Sequence, residues 1–108
     1  MFHHIVNFKY KRGYDKGLHR RMKKFCRDVV AGVPGAVSCY YGENFCEKYT
    51  APHVGKGWSQ GFTHVFVSVF DNAKAHDRYQ ESAIHQAIVG PLGKVTKDYV
   101  ICDYITRG

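Results

Sequence analysis

Three histidines and one tyrosine, His4, His64, Tyr79 and His85, form the set of side chains in this sequence best suited to chemistry. An unperturbed imidazole titrates at about pH 6.5, so a neutral histidine can take a proton from carbon at neutral pH. A tyrosine hydroxyl can donate to the oxyanion that then develops on a carbonyl. The set therefore suits proton abstraction next to a carbonyl. That reaction needs no metal ion and no organic cofactor.

Two of these side chains fall on predicted strands. Residues 2–10 alternate between apolar and other side chains, which predicts a strand with His4 on its apolar face. Residues 62–70, FTHVFVSVF, are β-branched or aromatic at most positions and form the strongest strand signal of the chain. Alternation along that strand places His64 and Phe66 on one face. If helices cover this face, both imidazoles lie in an otherwise apolar layer.

The other two side chains fall in one predicted helical region, residues 73–90, which Asn72 can cap. A spacing of six residues turns an unbroken helix by about 600°, which separates Tyr79 from His85. The two can meet only if the helix breaks between them. Ser82 is a suitable cap for a second helix and is the predicted break.

The remaining elements complete an α+β fold. The patterns predict a helix over about 15–32, a strand over 36–41, a long loop over 42–61, the end of the second helical region at 90–93, and a last strand over 96–105. The order βαββαβ is the ferredoxin-like plan: a four-stranded antiparallel sheet with its helices on one face. With 108 residues, we expect a single domain spanning residues 1–108.

The opposite sheet face predicts a homodimer. Val65, Val67 and Val69 alternate with His64 and Phe66, so they lie on the face that the helices leave open. A contiguous apolar patch in water is typical of an interface. We expect two copies of the chain to pack sheet against sheet.

Four segments together resemble a known family: His4-Ile5-Val6, Thr63-His64, Tyr79 with His85, and Cys102-Asp103-Tyr104. They are similar to the stress-responsive dimeric α/β-barrel family, and most similar in pattern to its olivetolic acid cyclase-type polyketide cyclases. The resemblance implies a dimeric α/β barrel and a pocket, without cofactor, for a small carbonyl or polyketide-like ligand. It places His4, His64, Tyr79 and His85 in that pocket. We predict Phe66 and Ile101 as further substrate-binding residues.

The predicted function is a small-molecule pocket, with His85 as general base and Tyr79 as proton donor in an aldol-type ring closure of a poly-β-keto substrate. His4 and His64 would orient the pair or the substrate. The alternative is a non-catalytic stress-responsive barrel protein. In that case the same histidines and tyrosine would be core residues whose polar atoms are hydrogen-bonded. A cofactor-free monooxygenase is the third interpretation.

The histidines do not predict a metal site. His3 and His4 are neighbours on a strand and point to opposite faces, so they cannot bind one ion together. His53 and His76 have no evident carboxylate companion in the sequence.

The charge pattern does not favour a nucleic-acid-binding protein. The net charge is +7, but the basic residues Arg20, Lys23, Lys24 and Arg27 follow helical spacing opposite apolar positions, which is typical of a solvated helix face. We therefore expect no nucleic-acid partner.

No apolar run reaches the roughly 20 residues of a membrane helix, and no signal peptide is evident, so we expect a cytoplasmic protein without a membrane partner. In that compartment cysteines are reduced, and we expect Cys39 and Cys102 to be protected from solvent.

Overall fold

The computed structural model describes residues 1–107 and has the predicted ferredoxin-like βαββαβ order. Its elements are β1 (Phe2–Tyr10), α1 (Gly17–Gly32), β2 (Ala36–Glu43), β3 (His64–Phe70), α2 (Ala73–Glu81), α3 (Ala83–Val95) and β4 (Thr96–Ile105). The loop between β2 and β3 holds a short 3-10 helix, Cys46–Lys48. The predicted elements are therefore confirmed, with β2 two residues longer and β3 two residues shorter than expected.

The four strands form one antiparallel sheet in the order β2-β3-β1-β4. β1 lies inside the sheet, where His4 pairs with Ser68 of β3 and Asp103 of β4, and Val6 pairs with Phe66 and Ile101. Paired residues of antiparallel strands project to the same face. The register therefore carries His4, Phe66, Ile101 and Asp103 to one side of the sheet.

The helices cover that side and enclose the core. The apolar residues of α1 repeat every three or four positions and are buried at Leu18, Met22, Phe25 and Val29. They pack with strand residues such as Val6, Phe66 and Phe70. The basic residues of α1 are exposed, as expected for a solvated helix face. Among residues 1–107, no helix is both long enough and apolar enough to span a membrane.

The end of the second helical region differs from the prediction. α3 continues to Val95 and contains Pro91 in its interior, where the sequence predicted a stop at residues 90–93. Proline removes one helical hydrogen bond, at a cost of about 3 kcal/mol or more. Packing offsets this cost, because Ile88 is buried in the core and Leu92 and Val95 pack against it. Burial of these apolar side chains therefore stabilises the end of α3 more than Pro91 destabilises it.

The face away from the helices is apolar at its centre. Ile5 pairs with Val67 on one side and with Cys102 on the other, and Val67 also pairs with Tyr40. Tyr40 is exposed, and Val67 and Ile5 are half-buried. This is the patch that the valine pattern predicted.

Cys102 lies on this open face and is exposed, so the prediction that it is protected is wrong for the single chain. It belongs to the edge strand β4, and the helices cover only the opposite face of the sheet. Cys39 is buried, as predicted.

Candidate functional site

A cavity of about 380 Å³ opens between the sheet and α2 and α3. Its size falls within the roughly 300–1,000 Å³ of typical small-molecule sites. Five of the six predicted site residues line it: His4, Phe66, Tyr79, His85 and Ile101. Most of the other lining residues are apolar, among them Ile88 and Leu92. The cavity therefore presents a few polar groups in an apolar wall.

Ser82 brings Tyr79 and His85 together. Its backbone is extended between α2 and α3. Its hydroxyl donates to the Tyr79 carbonyl at 2.7 Å and accepts from the His85 backbone N–H at 3.2 Å. One side chain thus ends α2 and begins α3, which confirms the predicted break. Across it, the Tyr79 and His85 ring centroids are 4.8 Å apart with an interplanar angle of 63°.

We expect Ser82→Ala to destabilise the protein by about 1 kcal/mol, because it removes the cap of α3 and a bond to the end of α2. Urea unfolding measures this as a lower midpoint. Ser82→Thr is the matched control, since it keeps a hydroxyl, and should recover most of the stability. Equal stability of Ser82→Ala and the native protein would contradict the capping role.

Burial sets the protonation states of this pair. Burial lowers the pKa of His85 below its ordinary value, so the imidazole is neutral at neutral pH. Burial raises the pKa of Tyr79, which is 3% exposed, so its hydroxyl keeps its proton. Within residues 1–107, His85 Nδ1 is a buried nitrogen with no hydrogen-bond partner. The pair therefore combines a neutral base with a protonated donor.

His4 has a carboxylate partner that the sequence pattern did not predict. Its Nδ1–H donates to Asp103 Oδ1 at 2.7 Å, with His4 itself 4% exposed. The contact exists because β1 and β4 pair at this register. Asp103 also lies near His76, whose ring centroid is 4.7 Å from that of His4. His76 therefore has a carboxylate companion, contrary to the prediction from the sequence.

His64 does not line this cavity, so the structure separates it from the other predicted site residues. It is buried in an aromatic cluster at the far end of β3, with ring centroids of Tyr10 and His19 at 5.0 and 4.7 Å. Thr63 Oγ1 bonds its Nδ1 at 2.9 Å. His64 shares a sheet face with His4, as predicted, but along β3 the cavity lining begins at Phe66, two residues beyond His64.

Comparison with known proteins agrees with this fold. The sequence profile of the stress responsive A/B barrel domain matches residues 2–106. The chain belongs to the stress responsive A/B barrel family. The match confirms the family resemblance that was predicted from the sequence. A search of curated protein sequences found no match.

Solved structures similar to this A/B barrel domain carry different names. A hydroxynitrile lyase from Passiflora edulis has a TM-score of 0.77 and 17% identity, covering 98% of this chain and 93% of its own. A dimeric ferredoxin-like protein of unknown function from Thermobifida fusca has a TM-score of 0.73 and 14% identity, covering 97% and 90%. A candidate antibiotic biosynthesis monooxygenase from Nitrosomonas europaea has a TM-score of 0.75 and 11% identity, covering 98% of each chain. At these identities the similarity establishes the fold.

Proposed function

We propose that this A/B barrel protein is a cofactor-independent cyclase that closes a ring in a poly-β-keto substrate by an aldol reaction. The contact between the Tyr79 and His85 rings, beside an apolar cavity of about 380 Å³, carries this proposal. A neutral imidazole and a protonated phenol are the two functions that an aldol closure requires.

In the proposed reaction, His85 takes a proton from the methylene between two carbonyls of the substrate. The electron pair of that C–H bond forms the new C–C bond to a carbonyl carbon further along the chain. The π electrons of that carbonyl move to its oxygen, which receives the Tyr79 proton. The His85 imidazolium then returns a proton to the Tyr79 phenolate. The adduct is an isomer of the linear substrate, and both side chains regain their starting states.

The apolar wall supplies the remaining requirement, which is a folded substrate. Fixing two reacting carbons at near-attack distance removes much of the entropic barrier of ring closure. Phe66, Ile88 and Leu92 line the cavity on the sheet and helix sides. They can hold the alkyl part of a polyketide chain while the carbonyls face Tyr79 and His85.

The test is an incubation of the purified protein with a linear poly-β-keto thioester, with the cyclised product measured by mass spectrometry. We expect product to form faster than in buffer, and equally fast without oxygen. Faster product formation that requires oxygen would favour the monooxygenase interpretation. No acceleration, together with saturable ligand binding, would favour the non-catalytic interpretation.

Tyr79→Phe should lower kcat more than it raises KM, because the hydroxyl acts on the oxyanion that develops in the transition state. Steady-state kinetics on the same thioester measure both constants. The matched control is Tyr10→Phe, since Tyr10 bonds Tyr41 at the far end of the sheet and does not line this cavity. A KM effect with unchanged kcat would contradict proton donation by Tyr79.

We further propose that the open sheet face forms a homodimer. The half-buried valines of β3 and the exposed Tyr40 beside them support this assembly, and the similar Thermobifida fusca protein is described as dimeric. The cytoplasmic location expected from the sequence stays a prediction.

A further inference from the structure

We propose that His4, His76 and Asp103 form a binding site for a divalent transition-metal ion of the zinc type. Each residue offers one donor atom, and the three atoms lie within 4.8 Å of one another. They come from β1, α2 and β4, so the fold, and not a local sequence motif, assembles them. The proposal goes beyond the proposed function, because neither Tyr79 nor His85 is a ligand.

The donor spacing is close to that of a metal site. Ligands at about 2.0–2.1 Å from a tetrahedral zinc ion are about 3.3 Å apart. His4 Nδ1 and Asp103 Oδ1 are 2.7 Å apart and share a hydrogen bond that an ion would replace. The Asp103 side chain is 35% exposed, so its carboxylate has room to move. Small side-chain rotations would therefore bring the three donor atoms to the spacing of ligands around one ion.

The surroundings of His76 resemble those of a metal ligand. Its Nε2 lies 3.2 Å from the Gln80 side-chain amide, whose oxygen and nitrogen can exchange places by rotation. With the oxygen towards His76, the amide accepts the Nε2 proton and leaves Nδ1 free as a ligand. Histidine ligands usually donate their other N–H to such a group. The Phe2 ring stacks on His76 at 4.5 Å and fixes its plane.

The types of the ligands favour a transition-metal ion. Two imidazoles with one carboxylate suit zinc and its neighbours, whereas magnesium and calcium prefer oxygen ligands. Three protein ligands also leave coordination positions open for water or a small ligand.

The test is a titration of chelator-treated protein with Co²⁺, read from its visible absorption, with Zn²⁺ as competitor. We expect one Co²⁺ per chain, displaced by Zn²⁺ and not by Mg²⁺. Asp103→Asn and His76→Phe should each weaken Co²⁺ binding by about 100-fold or more. Gln80→Ala should weaken it less, by about 10–100-fold, because Gln80 only orients a ligand. This readout is independent of ring closure, so failure here and failure of the proposed cyclase are distinguishable.

The variants separate metal binding from packing. His76→Phe keeps an aromatic ring beside Phe2 and Tyr79, so thermal unfolding should show that it folds. His3→Ala is the matched control, because His3 neighbours His4 but bonds Thr106 on the other side of β1. It should bind Co²⁺ like the native protein. Absence of Co²⁺ binding, equal binding by His76→Phe, or equal loss in His3→Ala would overturn the proposal.

Discussion

Replacing His85 with alanine should lower the turnover of a poly-β-keto thioester by about 100-fold or more, since a positioned general base contributes about that much. His85 lines the cavity beside Tyr79, and burial lowers its pKa so that the basic form is present at neutral pH. The alanine leaves the apolar wall in place, so KM should change less than kcat. Single-turnover measurements on the same thioester separate the chemical step from product release.

The pH profile provides the control for this interpretation. The native protein should lose turnover as the pH falls through the His85 pKa, which lies below the ordinary value of about 6.5. Protonation removes the base, so the loss occurs on the acid side. In His85→Ala this acid limb should disappear. A His85→Ala variant with native turnover, or with an unchanged acid limb, would leave the cavity as a binding site.

Local signals predicted the parts of the site that lie close together in the sequence. The turn angle between Tyr79 and His85 required a break, and Ser82 was the residue whose hydroxyl could cap a new helix. Alternation along β1 and β3 placed His4 and Phe66 on the covered face. These inferences depend on periodicity and capping, which are properties of a few neighbouring residues.

The features of the site and fold that the sequence did not predict depend on how the strands pair and where the helices lie. Asp103 meets His4 only because β4 pairs with β1 at one register, which no local pattern specifies. Whether His64 reaches the cavity depends on how far α2 and α3 extend along the sheet. α1 contributes His19 to the aromatic cluster around His64 instead. Pro91 misled the prediction of the helix end because the packing of Leu92 and Val95 outweighs its local cost.

The second large effect is expected for Val67→Asp, a substitution on the open sheet face that should weaken the dimer. Val67 pairs with Ile5 and with Tyr40, so it lies near the centre of the proposed dimer interface. An interface of standard size buries roughly 1,600 Å² and excludes water from its centre. An aspartate there would be a buried, unpaired charge in each of two copies, at a cost of about 3–5 kcal/mol. We expect the dimer dissociation constant to rise by about 100-fold or more.

Sedimentation velocity over a range of protein concentrations measures this shift. Val30→Asp is the matched control, because Val30 is a valine on α1 that is already 43% exposed. It adds the same charge away from the sheet face and should leave the dimer intact. Because Val67 points away from the cavity, the Val67→Asp monomer should remain folded by circular dichroism. A native protein that stays monomeric at all concentrations, or a Val67→Asp variant that dimerises as tightly, would show that the open face serves another purpose.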